Sequence, residues 1–142
     1  MKASTEKYAI DANLILRYLM RDVEQQYRAA TAIMDAVQDE RLVVLCEPVT
    51  LAEVVWVLQK VYGLSGQQIR EGLSPILAAS SFQMPDKPRY IRALATYADS
   101  VPHFGDACAC AAALEACEGR LLSFDKDLSG VPGVRRLESI AA

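Results

Sequence analysis

The sequence predicts an α/β protein, and three observations predict it. Short apolar runs alternate with longer segments whose apolar residues recur at helical spacing. Gly, Pro and capping residues punctuate the junctions instead of gathering in a linker. Successive strand candidates are separated by one or two helix candidates, so the chain must cross over between them, and right-handed crossovers give a mainly parallel sheet. The expected architecture is a three-layer sandwich, with a central sheet of about four or five strands and helices on both faces. One domain is expected to span residues 1–142.

Lys7 to Asp11 reads as the first strand, followed by a helix over Asn13 to Arg21 with Leu14, Ile15, Tyr18 and Leu19 on one face. Asp22 is placed to cap a second helix running to Gln38, in which Tyr27, Ala30, Ile33, Met34 and Val37 share a stripe. Arg41 to Cys46 is a buried strand closed by Pro48. A third helix covers Val49 to Tyr62 and stops at Gly63, and Ser65 with Gln68 forms a capping box for a fourth. The Ser74-Pro75 pair is expected to kink or restart that helix. Ser81 to Met84 is a weak strand, Asp86 to Ala98 a helix, and Phe104 to Glu118 a helix ended by Gly119. Arg120 to Phe124 and Val134 to Leu137 complete the strands.

The 142 residues are 52% hydrophobic and 23% charged, a balance that supports a packed core and argues against disorder. The longest uninterrupted apolar run is Ala107 to Leu114, too short to span a bilayer. No signal peptide is expected around Lys2, Glu6 and Lys7, so a cytoplasmic location and no membrane partner are the expectations. Cys46, Cys108, Cys110 and Cys117 lack paired metal-ligand spacing and read as buried free thiols. A single His, His103, excludes His-rich metal sites, and without a G-x-S-x-G it makes a Ser-His-Asp triad a poor reading. Any catalysis must therefore rest on carboxylates. The net charge of −3 means that nucleic acid, if bound, is held by local groups and not by a generally basic surface.

In open parallel sheets, ligands collect outside the carboxyl ends of the strands. Asp11 ends the first strand, and Asp125 follows the strand Arg120 to Phe124 with Asp127 two residues on. Glu53 and Asp106 are expected in the first turns of their helices. Each has an ordinary structural explanation. Thr50-x-x-Glu53 is a capping box, the helix dipole favours Glu53 and Asp106, and Asp125 with Asp127 suits a polar turn. Asp11 is harder to dismiss, because it stands between apolar Tyr8-Ala9-Ile10 and the apolar helix that follows. A hard divalent cation reconciles several carboxylates in one crevice, and oxygen-only ligands suit Mg²⁺ or Mn²⁺. Such an ion activates water and screens charge in phosphodiester hydrolysis, although aspartyl phosphotransferases also gather Asp residues at strand ends.

The stretches Tyr8-Ala9-Ile10-Asp11-Ala12-Asn13, Val49-Thr50-Leu51-Ala52-Glu53-Val54-Val55-Trp56-Val57-Leu58, Phe104-Gly105-Asp106-Ala107 and Ser123-Phe124-Asp125-Lys126-Asp127-Leu128 resemble, in order and spacing, the successive motifs of PIN-domain ribonucleases, in particular VapC toxins. The resemblance covers nearly the whole chain and lies in the combination of motifs. It implies a Mg²⁺- or Mn²⁺-dependent endoribonuclease leaving a 5′-phosphate and a 3′-hydroxyl. Asp11, Glu53, Asp106 and Asp125 would then be the catalytic and metal-binding carboxylates, with Asn13, Thr50, Ser123 and Asp127 in support. One departure is His103, which stands where many relatives carry a further Asp. The resemblance also implies a homodimer and an antitoxin protein that packs against the apolar helix Val49 to Tyr62. A helix fully buried within one chain would remove the motive for that partner.

Arg17 and Arg21, with Arg28, form one cationic cluster near the acidic edge, and Lys87 and Arg89, with Arg92, form a second. These are the candidate RNA contacts, weighed against the commoner role of a solvated helix face. Cys108 and Cys110 point about 200° apart on a helix, so the three late cysteines cannot converge on one ion. Two rival functions follow: a phosphotransferase acting through an aspartyl phosphate, and a catalytically inert module that binds an antitoxin-like partner.

Overall fold

A computed structural model describes residues 6–140; the expectation concerning Lys2 lies outside the described residues. The order of elements is β1 (Lys7–Ala9), α1 (Ala12–Leu19), α2 (Glu24–Gln38), β2 (Val43–Leu45), α3 (Pro48–Lys60), α4 (Gly66–Ala78), β3 (Phe82–Gln83), α5 (Lys87–Asp99), α6 (Phe104–Ala116), β4 (Arg120–Leu122), a 3-10 turn (Lys126–Gly130) and β5 (Arg135–Leu137). The α/β class and the parallel strands are as the sequence predicts.

The strands divide differently from the expectation. In place of one central sheet, β1, β2 and β3 form a parallel sheet in that order, and β4 and β5 form a second parallel pair. In the first, Tyr8 stands beside Val44 and Val44 beside Phe82; in the second, Leu121 stands beside Arg136. Leu128, Val131 and Val134 enter the core and tie down the β4–β5 crossover. Gly119 sets the direction in which β4 leaves α6, at φ +83°, where a Cβ would meet the Gly133 carbonyl oxygen at 2.1 Å. Only glycine fits there, both sterically and conformationally.

The helices form for the reasons that their sequences advertise. The Ser65 hydroxyl accepts from the Gln68 backbone N–H at 3.2 Å while the Gln68 side-chain Oε1 accepts from the Ser65 N–H at 2.9 Å, a complete capping box. α4 continues through Pro75, so of the two expectations at Ser74-Pro75 the restart does not occur. Ser74 Oγ there donates to the Arg70 carbonyl at 2.6 Å. Asp22 does not cap α2; Val23 occupies that position, and Asp22 is drawn off to Arg17 and Tyr62. α3 begins at Pro48, which suits a first helical turn, so Thr50 and Glu53 form no capping box and Glu53 lies in the second turn.

Ile15, Met34, Val44, Leu58, Ile69 and Phe82, all almost inaccessible, lie within one contiguous apolar cluster fed by the helices, the first sheet and the 3-10 turn. Tyr97 and Phe104 meet edge to face at 5.9 Å, joining α5 to the start of α6. Among the described residues no helix is long and apolar enough to cross a membrane.

Candidate active site

Asp11 is the N-cap of α1, and its Oδ1 accepts from the Leu14 N–H at 3.0 Å. It is exposed, so solvent and the helix terminus compensate the charge that the sequence places among apolar neighbours. Asp11, Asn13, Arg17 and Gln26 line a cleft of about 260 Å³ between α1 and α2, floored by Leu14, Ala29 and Ala30. Gln26 has no motif around it and becomes visible only when α2 folds against α1.

Glu53 is exposed on α3, and Thr50 is half-buried one turn before it. Asp106 is half-buried in the first turn of α6, as expected. His103 is exposed, occupies the N-cap position of α6 and lines a cavity of about 250 Å³ with Trp56, Gln59 and Lys60. Asp125 is exposed at the end of β4 and starts the 3-10 turn: its Oδ1 accepts from the Asp127 N–H at 3.0 Å, and the Ser123 hydroxyl accepts from the Asp125 N–H at 3.0 Å. Asp127 is exposed as well.

Among the described residues no three His, Cys, Asp or Glu side chains gather closely enough to hold a metal ion. The donors themselves are hard carboxylate oxygens of the kind Mg²⁺ or Mn²⁺ prefers. Their chemistry fits such an ion.

The cationic candidates are engaged inside the chain. Arg17 Nη1 donates to Asp22 Oδ1 at 2.9 Å and to the Tyr62 hydroxyl at 3.2 Å, while that hydroxyl donates to Asp22 Oδ2 at 2.6 Å. The Tyr62 hydroxyl, then Arg17, holds the Asp22 carboxyl below the usual carboxylate range. Arg21 pairs with Glu24 at 3.2 Å and lies over the Tyr27 ring at 4.7 Å, and Arg28 reaches the same Glu24. Arg89 pairs with Glu115 at 3.0 Å and Asp86 at 3.8 Å. Lys87 Nζ donates to the Ala79 carbonyl at 2.9 Å above the Phe82 ring, and burial pulls its pKa down. Tyr62 is the participant that sequence reasoning missed, since its separation of 40 positions from Asp22 leaves no local signal.

All four cysteines are free. Cys46 and Cys110 are buried and Cys108 half-buried, but Cys117 is exposed at the C-cap of α6, which corrects the expectation of four buried thiols. Leu51, Val54, Val55 and Leu58 of α3 are buried while Trp56 is 58% exposed beside exposed Val49 and Val61, so part of this apolar helix faces outward.

Comparison with curated proteins finds no match. Residues 8–134, nearly the whole of the described chain, match the PIN domain family. With its α/β order, parallel strands and an Asp closing β1, the chain belongs to the PIN domain family.

Proposed function

We propose that this PIN-domain protein is an endoribonuclease dependent on Mg²⁺ or Mn²⁺, acting as the toxin of a toxin–antitoxin pair. PIN domains are generally nucleases. The observation that carries the reading is Asp11: a carboxylate at the end of β1, exposed beside an open cleft that also presents Asn13 and Gln26. That cleft offers a carboxylate and amide groups to a ribose–phosphate chain and excludes no solvent water. Its Asp11 stays oriented by the Leu14 N–H. A hard divalent ion, when bound, supplies charge neutralisation and activation of water.

In the overall reaction, the oxygen of water bonds to phosphorus and the P–O3′ bond breaks. The leaving 3′ oxygen takes a proton, giving a 3′-hydroxyl and a 5′-phosphate. Glu53, Asp106 and Asp125 join Asp11 as the catalytic carboxylates in this reading, with Thr50, Ser123 and Asp127 in support. Exposed Val49 and Trp56, seven residues apart on one side of α3, support an antitoxin as the protein partner, because uncovered large apolar side chains on one helix side are a feature of interaction sites.

Purified protein incubated with a structured RNA and Mn²⁺ is expected to give endonucleolytic products that EDTA abolishes. Asp11→Asn is expected to lower the rate by about two orders of magnitude or more. Cleavage unchanged by both treatments defeats the proposal. The inert-module reading predicts that calorimetry detects no Mn²⁺ binding.

A further inference from the structure

Of the three phenylalanines in the chain, Phe82 and Phe104 are buried and Phe124 is 81% exposed. The frame around Phe124 holds it there. The Ser123 N–H donates to the Leu137 carbonyl at 3.0 Å, and Arg136 Nη1 donates to the Ser123 carbonyl at 2.9 Å. On the other side the Asp125 N–H donates to the Ser123 hydroxyl at 3.0 Å, and Asp125 Oδ1 accepts from the Asp127 N–H at 3.0 Å. The ring therefore stands in water on a fixed backbone, next in the chain to Asp125, with adjacent Cα atoms about 3.8 Å apart. Beside it lies a cavity of about 300 Å³ lined also by Leu122, Leu137, Glu138 and Ile140. Beyond Asp125, Lys126 is exposed and forms no ion pair among the described residues.

We infer that Phe124 is the stacking platform for an unpaired base of the RNA substrate, with Lys126 taking a backbone phosphate beside it. This inference rests on the nuclease reading for the role of Asp125. An exposed aromatic ring offers a flat face on which any base stacks, and a backbone fixed in advance keeps the ordering cost of binding low. A base is uncharged, so Asp125, Asp127 and Glu138 do not repel it, whereas they disfavour an acidic protein segment in the same place. Ring and carboxylate belong to consecutive residues, so a strand whose base rests on Phe124 has its adjoining phosphodiester within reach of Asp125. Bases inside a duplex are already stacked on their neighbours and cannot take this position. The site therefore selects single-stranded stretches, loops and ends, with little preference among bases because every base has a π face.

The test uses the full chain carrying Asp11→Asn, which in the nuclease reading holds RNA without cutting it. Binding of a fluorescent, unstructured oligoribonucleotide is followed by anisotropy in Mn²⁺. Adding Phe124→Ala is expected to weaken binding by about 5- to 150-fold, the range for loss of one base–aromatic stack. Phe124→Leu is expected to weaken it nearly as much, while Phe124→Tyr keeps the ring and binds as the parent does. Thermal midpoints are expected to stay at the parent value, since a side chain this exposed contributes little to the fold. The comparison of Leu with Tyr decides the matter even where the alanine variant is less stable. Lys126→Gln is expected to reduce the salt slope of binding by about one. Unchanged binding in Phe124→Ala, or Phe124→Leu binding as tightly as Phe124→Tyr, overturns the platform, and so does a parent protein that binds no RNA. Wild-type cleavage in Mn²⁺, with and without EDTA, decides the nuclease reading separately. A wild type that holds RNA through Phe124 without cleaving it overturns that reading and leaves the platform standing.

Discussion

Asp22 illustrates how a single side chain changes its job between sequence and fold. It has the residue type and position of a helix cap, but Arg17 and Tyr62 outbid the α2 N-terminus with charge-assisted hydrogen bonds. Because its folded pKa is depressed, the stability it contributes is present above its unfolded value and is lost as pH falls through the depressed one. Tyr62→Phe is therefore expected to destabilise the protein at neutral pH, with the difference from wild type shrinking towards zero as the solution is acidified through that window; urea midpoints measured across pH check this. The cysteines separate just as cleanly. Burial pushes Cys46 and Cys108 up to about 11 and raises Cys110 as well, whereas Cys117 is exposed. Since the thiolate is the reactive form, a chromogenic disulfide reagent at pH 8 is expected to modify one thiol rapidly in the native protein, and Cys117→Ser to remove that phase.

At the scale of elements, local rules hold where the interaction is local. The Ser65–Gln68 box is legible from two residues three apart and forms as read, so Ser65→Ala is expected to lower stability by about 1 kcal/mol in thermal or urea unfolding. Thr50-x-x-Glu53 has the same spelling and forms no cap, because Pro48 begins α3 earlier and carries both residues into the helix. Gly119 is read from sequence only as a helix stop. In the fold it also holds a left-handed turn against the Gly133 carbonyl, so Gly119→Ala is expected to cost about 2–3 kcal/mol and to disturb β4 and β5 first. Hydrogen exchange localised to residues 119–137 would show that order of loss.

For the whole molecule, the question is what covers the apolar surface that one chain leaves open. α3 keeps Leu51, Val54, Val55 and Leu58 in the core while Trp56 stands outside. Trp56→Ala is expected to cost well below the roughly 3–5 kcal/mol of a fully buried Trp→Ala, because more than half of its side chain is already in solvent, yet to weaken association with a protein partner measurably by calorimetry. A matching loss of stability in the isolated chain would mean that Trp56 packs inward instead.

The sequence by itself determined the α/β class, the succession of elements to within a few residues and the inward Ala30, Met34 and Val37 of α2, because hydrophobic period, turn chemistry and caps act over a few neighbouring residues; on α1 it found Ile15 but not Leu16, which is buried in place of Leu14, Tyr18 and Leu19. Only the tertiary structure decided which strands pair, that Asp11 faces solvent as an N-cap, that Arg17, Arg21 and Arg89 are already paired, and that Asp125 caps the 3-10 turn after β4. Those outcomes depend on contacts between residues tens of positions apart, where loop closure, burial and competing partners choose among arrangements that the local pattern leaves equal.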